Sequence, residues 1–259
     1  MSDPLAAIAQ LPGVTEAVDT ARQAVDRLYR HRILRRARPA VSTESSLRGA
    51  RASAALEGVD VPLGALRRDE IHDPVVQGAL RASAELGRLG PTWRQAPRRV
   101  LARLHTVAAA GLAEEPVLGR PRGLDAAPDP LALGPAPGAA ETATRMEALL
   151  HLLAAPTQAP ALVLAAVVHA ELAVLRPFGT ADGVVARAVE RLTLVEYGLD
   201  PKSLVAVEVG HLGLPYAEGL RAYLTGTPEG VAQWIQQCAA AVAGGVREAT
   251  AICEAMQRG

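Results

Sequence analysis

In the segment HAELAVLRPFGTADGVVARA, residues 169–188, we expect one helix to end and another to begin. The first of these helices is predicted to cover 161–175, the most apolar segment of the chain. We expect it to lie at the centre of the core because it has no polar face. A short turn, Arg176 to Ala181, leads into a second predicted helix that starts near Asp182. Such a helix start is a natural anion site, because unpaired N–H groups point outward there. A tight helix–helix turn without a ligand is the commoner alternative.

Helical spacing of apolar residues recurs along most of the chain. Further predicted helices cover 14–37 (stopped by Pro39), 42–57, 74–89, 97–112, 141–154, 213–224 and 229–256. Aromatic residues make up only 3% of the chain, which also favours helices over sheets. The stretch 115–139 contains six prolines and four glycines, so we expect a linker or an extended, hairpin-like flap there. The predicted fold class is therefore all-α, with a small β-hairpin flap.

Charge and hydropathy exclude several classes of protein. The chain has 27 basic and 27 acidic residues, so it lacks the basic excess of a protein that binds nucleic acid or anionic membranes. The longest apolar run, 161–168, is too short to span a bilayer. Cys238 and Cys253 lie fifteen residues apart on one predicted helix and cannot pair. With no signal peptide visible, these features predict a cytoplasmic protein. The excess of arginine over lysine suggests a GC-rich bacterial genome.

Residues 176–187, RPFGTADGVVAR, resemble the signature of the Fic (Fido) family, H-P-F-x-[DE]-G-N-G-R-x-x-R, without gaps. Four positions fit: Pro177, Phe178, Gly183 and Arg187. The preceding HAELAVL also resembles the family's helix before its motif. We expect Phe178, the only phenylalanine, to anchor the turn to the core. The resemblance implies the family's helical core and, for an intact motif, transfer of AMP from ATP with Mg²⁺ to a protein hydroxyl.

The segment SAALEG, residues 53–58, matches the family's inhibitory pattern [ST]-x-x-x-E-[GN] at Ser53, Glu57 and Gly58. In the family, the glutamate of this pattern binds the second motif arginine, which here is Arg187. The resemblance therefore implies a Glu57–Arg187 ion pair, with the two charges within about 6 Å of each other. In a chain without catalysis, this pair would be a buried bridge between two helices.

The proline-rich stretch resembles the family's flap, which holds a target segment by strand addition. The resemblance rests on three residues near its start: Gly119, Arg120 and Arg122. The run from Tyr223 to Ile235 resembles the end of larger Fic proteins. We expect an N-terminal helical extension at 1–40 and a Fic-like domain at 41–259. The parts of that domain are an inhibitory-type helix near 42–58, the flap near 115–139, the motif at 176–187 and C-terminal helices at 213–256.

The motif departs from the family pattern where its chemistry lies. The position of the general base is Arg176, which stays protonated and cannot accept a proton. Thr180 replaces the acidic magnesium ligand and is a poor ligand for a hard cation. Asp182 adds negative charge where phosphates would bind, and Val184 replaces a phosphate-clamping arginine. We therefore predict a catalytically degenerate relative of protein adenylyltransferases, without a metal, that acts by binding a protein or a nucleotide-like ligand.

Several alternatives stay open at the motif. The candidate nucleotide or anion ligands are Arg176, Gly179, Thr180, Gly183 and Arg187. Arg176 either binds such an anion or pairs with Asp182, and we favour the pair because Asp182 repels phosphate. One alternative function is a transferase of a phosphate-containing group with Asp182 as base, although a cationic pair would lower the pKa of that carboxyl. Another is a structural, dimerising module.

The other polar residues give weaker signals. His169, within the most apolar segment, is expected to be a hydrogen-bonded core residue. The remaining histidines show no metal-ligand spacing: His31, His72, His105, His151 and His211. The arginine cluster at 30–38 is expected to be a solvated face, and Trp234 a core or dimer contact. A protein partner is expected to bind through the flap, and homo-oligomerisation is compatible with the sequence.

Overall fold

The computed structural model describes residues 3–258, and within them it contains twelve α-helices, one 3₁₀ turn at Glu115–Val117 and no β-strand. The helices are α1 (Pro4–Ala9), α2 (Val14–Tyr29), α3 (Leu34–Leu56), α4 (Leu63–Arg67), α5 (Pro74–Trp93), α6 (Pro97–Ala109), α7 (Ala139–Ala154), α8 (Ala161–Leu175), α9 (Asp182–Glu196), α10 (Val207–Leu212), α11 (Tyr216–Leu224) and α12 (Pro228–Arg258). The predicted all-α class is confirmed.

Helix α8 lies at the centre of the core, as its uniformly apolar sequence predicts. Thirteen of its fifteen residues are buried, and it packs most closely against α9 across the turn that joins them. Helix α12 also packs against α8, and it contacts α2, α10 and α11. Trp234 of α12 is fully buried, and its indole N–H donates to the Ala166 carbonyl oxygen at 2.8 Å. The expected core role of this tryptophan is therefore confirmed.

The N-terminal region differs from the predicted single helix over 14–37. Helix α2 ends at Tyr29, and α3 begins at Leu34 and continues through Pro39. Proline is tolerated because it lies near the start of α3, where the backbone is already non-helical at Ala37 (φ −119°, ψ 15°). Helix α3 thus crosses residue 40, the expected end of the extension. The arginines at 30–38 are exposed, as expected of a solvated face.

Other helix ends follow the sequence signals only in part. Gly58 has φ +91° and Val59 N–H donates to the Ala54 carbonyl oxygen, which confirms the glycine stop of α3. The Thr227 hydroxyl accepts from the Gly230 N–H at 3.1 Å and caps α12. Helix α5, by contrast, runs through Gly90-Pro91 to Trp93, α6 ends at Ala109, and α11 starts at Tyr216. The short helices α1 and α10 were not predicted, since six residues show little periodicity.

The flap segment, residues 115–138, contains no strand in the structure, so the expected β-hairpin is wrong. Its prolines cannot donate to a strand ladder. Hydrogen bonds from the Arg122 side chain hold the segment where strand pairing was expected. The guanidinium donates to carbonyl oxygens of the flap segment and of the junction between α8 and the turn that follows it: Leu124, Asp125, Pro137, Leu175 and Arg176.

No helix within residues 3–258 combines the length and the apolar character that crossing a bilayer requires.

Candidate functional site

The flap segment and the turn between α8 and α9 enclose a cleft of about 500 Å³. Its polar wall contains Glu57, Asp129, Arg176, Thr180 and Asp182. Its apolar wall is made by Val75, Leu112, Leu131, Leu133, Ala173 and Val184. We call this space the cleft.

The turn that opens the cleft holds three residues in the left-handed backbone region. Arg176 has φ 48°, Gly179 has φ 75° and Ala181 has φ 54°. For a non-glycine residue this region costs roughly 1–2 kcal/mol, so surrounding contacts must hold the turn. One such contact is the stacking of Phe178 on His105, with ring centroids 4.2 Å apart. Phe178 thus packs on a buried residue of α6, and its anchoring role stays a prediction.

Arg176 points across the cleft to the flap segment. Its guanidinium lies 3.0 Å from Asp129 Oδ1 and donates to the Pro128 and Gly134 carbonyl oxygens at 3.1 and 2.7 Å. The favoured Arg176–Asp182 pair is therefore wrong. Asp182 accepts a hydrogen bond from the Phe178 N–H at 2.9 Å instead, because a carboxylate at a helix start is readily satisfied by nearby backbone donors.

Asp182 is an unusual carboxyl group, since it is 7% exposed and has no ion-pair partner within the described residues. Burial raises the pKa of Asp182 to about 7, against the N–H donors of Phe178 and Gly179, which lower it. The expectation that a cationic pair lowers this pKa is wrong, because the guanidinium of Arg176 is engaged by the flap segment. Near neutral pH, Asp182 can therefore either hold or accept a proton.

The Glu57–Arg187 ion pair implied by the family resemblance is present. Arg187 is fully buried, and its Nη2 lies 2.6 Å from Glu57 Oε1. The same guanidinium donates to the Ser53 hydroxyl and carbonyl oxygens, both at 3.0 Å. Gly183 makes this approach feasible, since a Cβ there would lie only 2.1 Å from Glu57 Oε1. Ser53, Glu57 and Arg187 thus form one contact between α3 and α9.

The structure places four of the five candidate anion-binding residues at the cleft, Arg176 among them. Gly179, Thr180 and Gly183 line it, whereas Arg187 lies behind Gly183 in the core. Gly119 donates its N–H to His105 Nδ1 at 2.9 Å, and Arg120 is exposed.

Asp129 was missed by the sequence reasoning, although it stands between two prolines in a stretch expected to turn. Its carboxylate accepts from the N–H groups of Leu133 and Gly134 at 2.9 and 2.8 Å. Against the effect of burial, these donors and Arg176 lower the pKa of Asp129. The side chain therefore stays ionised and fixes Arg176 over the cleft.

His169 is hydrogen-bonded in the core, as expected. Its Nδ1 lies 2.7 Å from Glu190 Oε2 and its Nε2 lies 2.7 Å from the Tyr216 hydroxyl. His211 Nε2 approaches the same Glu190 oxygen at 2.8 Å. Two of the histidines that looked scattered in the sequence therefore converge on one carboxylate.

No protein-family model and no curated relative matches the sequence. Solved structures do match. A Fic family protein from Desulfovibrio desulfuricans G20 aligns with a TM-score of 0.73 and 21% identity, over 91% of this chain and 74% of that one. A fragment of Fic-1 from C. elegans aligns with a TM-score of 0.66 and 16% identity, over 94% of this chain and 73% of that one. Identities this low establish the fold alone. The chain therefore has the fold of Fic family proteins over about nine-tenths of its length.

Proposed function

We propose that this chain is a binding protein of Fic fold that does not transfer AMP. One observation carries the proposal: both guanidinium groups of the motif are engaged by carboxylates of the chain itself. Arg176 pairs with Asp129 and Arg187 pairs with Glu57, at 3.0 and 2.6 Å. A phosphate group entering the cleft would have to displace one of these carboxylates.

The cleft fits ATP with Mg²⁺ poorly. Glu57 and Asp129 occupy the two motif guanidiniums, and Asp182, when ionised, adds a negative charge that opposes that of a triphosphate. Thr180 offers no carboxylate where the family signature has its acidic metal ligand. The position of the general base is Arg176, which cannot accept a proton at neutral pH. The cleft therefore lacks the base of the family signature and the acidic residue at its metal-ligand position.

A protein segment suits this surface better. The cleft joins an apolar wall to a polar one in which the Asp182 carboxyl has no ion-pair partner among the described residues, which favours a segment carrying an apolar side chain and a hydrogen-bond donor. Leu112 lines the cleft and is 37% exposed, and the flap segment, which also contributes to the lining, exposes Leu124 and Val117 to 75% and 50%. An apolar side chain exposed at the cleft adds to a surface that a partner can cover. The proposed partner therefore binds at the cleft and the flap segment together.

Calorimetric titration with ATP, with and without Mg²⁺, tests the absence of nucleotide binding. The variants are Glu57→Gly, which frees Arg187, and the exposed control Glu70→Gly. We expect no heat of binding at millimolar ATP for the wild type or the control. We expect none for Glu57→Gly either, because Asp129 and Asp182 remain. Saturable micromolar binding by the wild type or by Glu57→Gly would contradict the proposal.

One observation favours a second function, a transferase of a phosphate-containing group. The pKa of Asp182, about 7, is well placed for a general base that takes the proton of an attacking hydroxyl. Mass spectrometry of the protein after incubation with nucleoside triphosphates tests this alternative. A mass increase in the wild type that is lost in Asp182→Asn would support transfer, and an unchanged mass would support binding alone.

A further inference from the structure

Four polar side chains meet in the apolar core, away from the cleft. His169 belongs to α8, Glu190 to α9, His211 to α10 and Cys238 to α12. All four are at most 1% exposed. One potential ligand atom from each lies within 4.8 Å of the corresponding atoms of the other three. We call these four residues the core cluster.

We propose that the core cluster is a structural site for one tetrahedral divalent transition ion, with Zn²⁺ as the preferred occupant. The donor set is two imidazole nitrogens, a carboxylate oxygen and a thiolate sulfur. Zinc accepts this combination, and a structural zinc site has four protein ligands and no open position. Magnesium and calcium prefer all-oxygen sites and do not suit it.

The distances between the ligand atoms are close to those of a tetrahedral zinc site. Glu190 Oε2 lies 2.7 Å from His169 Nδ1 and 2.8 Å from His211 Nε2. Zinc bonds of about 2.0–2.3 Å separate neighbouring ligand atoms by about 3.4 Å in a tetrahedron. The carboxylate therefore needs to retreat by less than about 1 Å to open the central position, which rotation of the Glu190 side chain can provide.

Groups around the core cluster hold the imidazole rings in place. His169 Nε2 lies 2.7 Å from the Tyr216 hydroxyl. An outer hydrogen bond of this kind commonly fixes the orientation of a histidine ligand. The His211 ring stacks on Trp234, with centroids 5.8 Å apart and planes 11° apart. Both rings are thus oriented before an ion binds.

The charge balance also favours a divalent ion. A zinc site here contains the carboxylate of Glu190 and the thiolate of Cys238. An ion of charge +2 that binds one carboxylate and one thiolate makes the site neutral and releases the proton of the thiol. The two imidazoles bind the ion as neutral ligands.

Refolding the full chain from denaturant with Zn²⁺ or with Co²⁺, under reducing conditions, tests the proposal. We expect one ion per chain by elemental analysis. Co²⁺ should give the intense visible bands of tetrahedral coordination and a near-ultraviolet thiolate-to-cobalt charge-transfer band. Zn²⁺ should raise the melting temperature by about 5–10 °C.

Cys253 provides the matched control, because it is also a buried thiol of α12 but lies outside the core cluster. Cys253→Ser should keep the charge-transfer band, and Cys238→Ser should lose it and bind Co²⁺ more than about tenfold more weakly. If Cys238→Ser does not fold, the wild-type bands and metal content decide. A refolded wild type without bound metal, without the bands and without a thermal shift would overturn the proposal. So would a charge-transfer band that survives in a folded Cys238→Ser variant.

Discussion

At a single residue, Asp182, burial opposes the ionisation of the carboxyl group. Its pKa of about 7 in the folded chain lies above the ordinary aspartate value of 3.8, because burial disfavours the carboxylate. The folded state therefore binds the proton more tightly than the unfolded state does. The stabilisation from that proton is fully present below pH 3.8 and is lost as the pH rises through about 7.

Asp182→Asn should remove this pH dependence, because asparagine stays neutral and can still accept from the Phe178 N–H. From pH 4 to 7.5, the unfolding free energy of the wild type should fall relative to the variant by about 2–4 kcal/mol. Urea unfolding at the two pH values measures the difference. The exposed control Asp26→Asn should leave the wild-type dependence intact, and an equal dependence in Asp182→Asn would contradict the assignment.

Gly183 leaves the space in which the Glu57 carboxylate contacts Arg187. Gly183→Ala places a Cβ on the Glu57 carboxylate and should separate it from Arg187. The buried guanidinium then loses its partner, which should lower the unfolding free energy by about 3 kcal/mol. In a Glu57→Gly background the same substitution should cost much less, since the clash is gone. Gly87→Ala is the control, because nothing lies within 4 Å of a Cβ there. Equal costs in both backgrounds would contradict this account.

At the scale of elements, sequence periodicity predicted the long helices well and the flap segment poorly. Helices α8 and α9 are fifteen residues long each, and continuous segments of that length without proline or an internal turn signal are typical of helices and not of strands. The conformation of the flap segment depends on distant interactions, among them those of the Arg122 guanidinium with the Leu175 and Arg176 carbonyl oxygens and of Arg176 with Asp129. Proline and glycine spacing shows that residues 115–138 are irregular. It does not show which side chain orders them.

Arg122→Lys should release the flap segment without unfolding the helices, because an ammonium group cannot reach several carbonyl oxygens in different directions. Hydrogen exchange of residues 123–138 should become at least tenfold faster, while the melting temperature falls by only a few degrees. Arg120→Lys is the matched control, since Arg120 lies two residues away and is exposed. Unchanged exchange in Arg122→Lys would show that other contacts order the segment.

At the scale of the whole molecule, the sequence predicted contacts within a family motif and missed contacts that need the folded chain. The Glu57–Arg187 pair could be predicted because each partner belongs to a recognisable pattern. Asp129 could not be predicted as the partner of Arg176, because the path of the flap segment brings them together. The core cluster was missed for a similar reason, as its members come from four helices and have no common spacing.

The packing of the N-terminal helices bears on whether the whole molecule unfolds as one unit. An extension ending near residue 40 could unfold separately. In the structure, however, α2 buries six of its sixteen residues, all apolar, and packs against α12. Helix α3 runs through the expected boundary. Shared burial of this kind couples unfolding.

We therefore expect one calorimetric transition for the full chain, with equal calorimetric and van't Hoff enthalpies. Val18→Asp, in the buried face of α2, should lower the temperature of that single transition. The exposed control Asp19→Ala should leave it nearly unchanged. A separate low-temperature transition, shifted alone by Val18→Asp, would instead show that α1 and α2 form an extension that unfolds by itself.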